Sequence, residues 1–170
     1  MGNLMGQVTR ERWFVGVSSG LFCLVALVLN FRLRYGIDLS DESFYVALPY
    51  AFNLGHRPIA DELSLHQFAA LLLVLPVKIF LAVVGSQEGL VLYMRQLYFM
   101  AALVTSFIVA RTLARVTGWG VAILVGACVL VYVPFSIPSL SYNTIASLGL
   151  VSGLFLLVSA SNSRRPALDL

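Results

Sequence analysis

Apolar residues run through this chain in long blocks separated by short polar stretches. The block from Trp13 to Phe31 predicts a membrane span, which we place near 13–33. Further apolar blocks predict spans near 90–112, 119–137 and 143–160, each close to the roughly 20 residues a helix needs to cross a bilayer. Residues 32–65 form the one long polar stretch. Within it Phe44, Leu48, Ala51 and Phe52 recur at helical spacing and Gly55 supplies a stop, so a short interfacial helix is expected over about 41–54. Residues 66–85 are apolar again, but Pro76 and Lys78 interrupt the run. That segment predicts a tilted, kinked or re-entrant helix. The expected fold is therefore all-α and polytopic. It has about four transmembrane helices, with juxtamembrane or re-entrant helices in a first external loop at about 34–89. Tails at 1–12 and 161–170 flank a membrane domain over 13–160.

Composition points the same way. Apolar residues make up 59% of the 170 and charged residues 11%, whereas soluble domains are about 25% charged. The formal charge of +3 does not imply nucleic acid, because the arginines are scattered between apolar runs rather than gathered into a patch. Cys23 and Cys128 each lie inside an apolar run and read as small apolar residues. The first block is too long for a secretory signal and ends in Asn30, Arg32 and Arg34 without a small-residue cleavage site, so it reads as a retained anchor.

Orientation follows from the basic residues. Arg10/Arg12, Arg111/Arg115 and Arg164/Arg165 all fall on one side if 66–85 does not cross, and the positive-inside rule assigns that side to the cytoplasm. Arg32 and Arg34 land outside and run against this arrangement. The expected location is a plasma (inner) membrane with a cytoplasmic N-terminus.

The local chemistry is concentrated in the first loop. Five of the eight acidic residues are Asp38, Asp41, Glu42, Asp61 and Glu62, and both histidines, His56 and His66, lie in or beside the same stretch. Two readings stand side by side. Acids at helix starts offset the dipole and cap free N–H groups, with Ser40 as a cap for the short helix. A carboxylate near a membrane surface can also act as a general base. Carboxylates with an imidazole can hold a divalent cation, Mg²⁺, Mn²⁺ or Zn²⁺, and Glu62, His66 and Asp61 are the candidate ligands. Arg32, Arg34, Arg57 and Arg95 can bind a lipid phosphate by charge-assisted hydrogen bonds, or anchor to head groups.

The order of these parts resembles a known family. A first span is followed by a D-E-x-x-Y element (Asp41, Glu42, Tyr45) and then a G-x-x-P turn (Gly55 to Pro58). A second acid and an apolar segment come next, then an arginine-led span ending in A-R-x-L-A-R (Ala110 to Arg115). Over roughly 13–160 this resembles the start of the GT-C glycosyltransferases, in particular bacterial relatives of the protein O-mannosyltransferases and the lipid A aminoarabinose transferases. The resemblance implies transfer of a sugar from a polyprenyl-phosphate donor to an acceptor at the external membrane face. It makes Asp41 the catalytic residue with Glu42 beside it, and implies substrate contacts from Tyr45, Arg57, Arg95, Tyr142 and Asn143. Relatives often carry E-K-P-P-L at the second acid. Here Glu62 matches the acid, no lysine follows, and His66 is a partial substitute. Because such enzymes usually have many more spans, the chain is expected to be an N-terminal portion that works with a further C-terminal half or a partner subunit. The other expectations are a non-catalytic membrane assembly partner or degenerate truncated copy, and a small transporter. The near absence of ionisable residues at span centres argues against transport.

Overall fold

The computed structural model describes residues 2–36, 41–61, 64 and 66–163, and these form a polytopic all-α membrane protein. The helices are α1 (Gly2–Arg32), α2 (Glu42–Asn53), α3 (Gln67–Val84), α4 (Leu90–Thr117), α5 (Trp119–Val131) and α6 (Tyr142–Ser163), with a 3₁₀ turn at Pro134–Ser136. Helix α1 starts well before the expected span, so much of the polar N-terminal segment is helical too. Helix α2 falls where the short interfacial helix is expected. Gly55 follows it at φ 99°, a left-handed conformation that favours glycine.

Among the described residues four helical stretches are long and apolar enough to cross a membrane: Thr9–Arg32, Gln67–Val84, Leu90–Thr117 and Tyr142–Ser161. This differs from the sequence expectation at 119–137. The span expected over 119–137 is not one helix. Helix α5 stops at Val131 after 13 residues, about 20 Å at 1.5 Å per residue. Tyr132 and Val133 are extended and Pro134 opens the 3₁₀ turn, because a residue before proline is driven out of the helical region. The helix expected near 66–85 is present as Gln67–Val84, with Pro76 inside it.

The chain divides into two compact units. The first holds residues 1–31, 101–132 and 148–170. In it α5 folds back on the second half of α4 after Gly118, whose φ of 81° makes the sharp reversal. Gly126 of α5 sits where a Cβ would lie 3.1 Å from the Ser106 carbonyl oxygen and 3.3 Å from the Ala110 methyl, and a Cβ on Gly120 would collide with the Phe14 ring. Small residues let apolar helices approach where no hydrophobic force separates helix from lipid. Polar contacts supplement this packing: Thr105 Oγ1 and Ser152 Oγ are 2.9 Å apart, and Arg115 Nη1 donates to the Ser159 carbonyl at 3.4 Å. Leu24, Leu27, Leu150 and Leu157 stay exposed, as lipid-facing residues should.

The second unit holds residues 32–100 and 133–147. Its core is Val46 of α2, Leu73, Val77 and Phe80 of α3, and Leu90 and Met94 of α4. Asn53 ties α2 to α3 by donating to the Val74 carbonyl at 3.1 Å. The opposite face of α3, with Phe68, Leu72, Leu75 and Val83, is exposed and apolar.

Gly126→Leu is expected to destabilise the first unit by about 1–3 kcal/mol, the usual range for overpacking. Gly149→Leu, at a position with nothing within 4 Å, is expected to be neutral. Thermal melting in detergent followed by size-exclusion chromatography compares the two.

Candidate functional site

The candidate site belongs to the second unit, where the start of α2 meets the first turns of α4. Glu42, the first residue of α2, is fully buried, and Arg95 of α4 is 4% exposed. Arg95 Nε donates to Glu42 Oε1 at 2.6 Å and Nη2 donates to Oε2, a bidentate pair. Arg95 Nη1 donates to the carbonyls of Leu33 at 2.8 Å and Tyr35 at 3.3 Å, just beyond α1. All three guanidinium nitrogens are therefore engaged by the protein. The sequence placed Glu42 beside a catalytic aspartate and Arg95 on a substrate phosphate, but here each is the other's partner.

Asp41 is different. It occupies the N-cap position of α2, makes no side-chain cap hydrogen bond and is exposed. One helical turn on, the Tyr45 ring packs edge-on against Phe44, His66 and Tyr142, with centroids 5.6–5.8 Å apart. His66 and Tyr142 lie 4.5 Å apart in a tilted stack. The apolar spacing of α2 carries Tyr45 inward, while His66 and Tyr142 arrive from the starts of α3 and α6. At α6, Ser141 and Thr144 cap each other reciprocally: Ser141 N donates to Thr144 Oγ1 at 2.7 Å, and Thr144 N to Ser141 Oγ at 3.2 Å. This fixes Tyr142 between them. Tyr45, His66 and Tyr142 edge a small cleft with Leu48, Ala69, Ala70, Leu73 and Leu140 as its apolar lining.

Tyr45 is held neutral. Its pKa is pushed up from 10.0 to about 12, first by burial, then by the charges of Tyr142 and Asp41 and a hydrogen bond with Tyr142. Asp41 stands one helical turn before Tyr45 along α2.

In the second acidic stretch, Asp61 pairs locally. The Asp61 carboxylate accepts from the Arg57 backbone N–H at 2.7 Å and its guanidinium at 3.3 Å, which holds its pKa below the usual range. Arg57 is largely exposed there. Glu62 lies outside the described residues. His66 pairs its Nδ1 with Ser64 Oγ at 3.1 Å. Among the described residues no three His, Cys, Asp or Glu side chains stand together as a metal site. Asn143 is half-buried beside Tyr142, and Arg32 and Arg34 are exposed. The aromatic cluster was only partly legible in the sequence: Tyr45, His66 and Tyr142 were singled out, but no pattern brought Phe44 to them.

No protein-family model, curated protein or solved structure matches the chain.

Removing one partner of the buried pair leaves an unpaired charge, so Glu42→Ala is expected to cost about 3–5 kcal/mol. Asp41→Asn, at an exposed position, is expected to stay within about 0.5 kcal/mol. Denaturation in mild detergent, followed by circular dichroism, separates the two. A second expectation concerns alkaline pH. The folded chain keeps the Tyr45 proton where the unfolded chain loses it. Its contribution is complete below pH 10 and is lost as pH rises to about 12. Tyr45→Phe should remove that part of the alkaline loss of stability.

Proposed function

We propose that this chain is the N-terminal part of a membrane enzyme that transfers a sugar from a polyprenyl-phosphate donor to an acceptor at the external face, with Asp41 as general base. The observation that carries this reading is the exposed Asp41 carboxylate at the start of α2, beside the Tyr45–His66–Tyr142 cluster and held near the end of the first span. A membrane-bound donor presents its head group at that level. The acceptor hydroxyl gives its proton to Asp41 as its oxygen bonds to the anomeric carbon. The bond from that carbon to the phosphate oxygen breaks, and the electron pair leaves with the lipid phosphate. Exposed Arg32 and Arg34, just before the loop, are suited to the departing phosphate because they are not committed to the buried pair.

The membrane placement supports this reading. Arg95 grips the carbonyls just beyond α1, and Leu90 lies about 8 Å earlier along α4. Leu90 packs with Val77 and Phe80 near the end of α3. A single crossing by α3 would put its end about 30 Å from the end of α1. In this proposal α3 therefore stays at the face where α1 ends, with its exposed apolar side in the bilayer surface. Spans α1, α4, α5 with its extended continuation, and α6 leave the basic clusters in the cytoplasm, with the protein in the plasma membrane.

Asp41→Asn in the complete enzyme is expected to preserve expression and donor binding but lower sugar transfer by at least about 10²-fold, the lower range for a general base. Near-normal turnover rejects the role. For placement, Ser86→Cys in a chain with Cys23 and Cys128 changed to serine should react with an impermeant maleimide from outside intact cells. Labelling only from the cytoplasmic side would mean that α3 crosses.

A further inference from the structure

We infer that Glu42 and Arg95 are positioning residues: together they form a latch that sets where Asp41 stands, and neither touches the substrate. This rests on the reading of Asp41 as the base, but its physical core is independent of that reading. Asp41 has no side-chain hydrogen bond to its own helix, so its place depends on the backbone around it. The next residue, Glu42, is the most completely buried acid described, and Arg95 engages both of its carboxylate oxygens. The same guanidinium holds two carbonyls on the strand of chain that leaves α1. One planar group thus joins three segments, the end of α1, the start of α2 and the second turn of α4, and Asp41 is one residue from the junction.

Lysine could not do this, because its single ammonium lacks the fixed fork of donors that spans a carboxylate and two carbonyls. Nor does the pair suit a direct catalytic role. A base must be open to the acceptor proton, and Glu42 has no exposed surface. A phosphate ligand needs exposed N–H groups, whereas Arg95 is 4% exposed and every guanidinium nitrogen is already bonded to an acceptor in the protein.

Two variants of the full chain, Glu42→Met with Arg95→Met and Arg95→Lys alone, test the latch against the native pair. Replacing a buried ion pair by apolar residues of similar size is often neutral for stability, so the double variant is expected to stay folded. Each is prepared with Cys23 and Cys128 as serine and with a nitroxide on Asp41→Cys. The native pair should give an immobilised spectrum. The double variant and Arg95→Lys should lose that immobilised component at an unchanged helix content. An equally immobile label in the folded double variant overturns the latch, whatever the enzyme does. In parallel, with Asp41 intact, transfer from a short-chain polyprenyl-phosphate sugar is measured. The latch expects kcat to fall by about 10²-fold in the double variant, as for a misplacement near 1 Å, with KM little changed. A raised KM with native kcat would instead make Arg95 a substrate ligand and overturn the inference. Loosened labels together with no transfer by the native complete enzyme would sustain the latch and reject the proposed reaction.

Discussion

The second unit is organised around one guanidinium. Arg95 is an arginine near the start of a long apolar helix, a place where an unpaired cation is costly. Its charge is met by Glu42 and its remaining donors by two backbone carbonyls that have no helix to satisfy them. Either charge would be expensive to bury alone, and here every guanidinium nitrogen has an acceptor. The pairing also has geometric reach, since Glu42 and Arg95 are 53 residues apart in the chain. It closes the polar loop onto the membrane helices at a fixed register. The apolar contacts of α2, α3 and the first turn of α4 then fill in around it.

The chemistry available at this face comes from what the latch leaves free. Of the adjacent acids Asp41 and Glu42, one points to solvent and the other is consumed in the pair. The same helix that buries Glu42 also carries Tyr45 inward, where it meets His66 and Tyr142. Two tyrosines and an imidazole therefore border a small, apolar-lined cleft, one helical turn from the exposed Asp41. Desolvation keeps Tyr45 protonated, so at neutral pH it serves as a hydrogen-bond donor and not as a base. In the proposed reaction the proton goes to Asp41.

The all-helical membrane character was legible in the sequence by itself, because a bilayer demands internally satisfied backbone and long apolar runs announce it. The short α2 and its stop at Gly55 were legible for a similar local reason, from apolar spacing and a residue that tolerates positive φ. The end of α5 was misread. The span expected to reach 137 stops at Val131: Tyr132 is already extended, and Pro134 bars its predecessor Val133 from the helical region. The candidate chemistry was legible only as a list of residues in one loop. Spacing could mark Asp41, Glu42, Asp61 and His66 as polar residues in an apolar chain, but it could not say which of them face solvent. Tertiary structure decided that. Helix α2 turns by about 100° per residue, so Asp41 and Glu42 cannot share one environment. Which of them finds the arginine depends on how α2 docks against α4, a long-range packing outcome that no local pattern records.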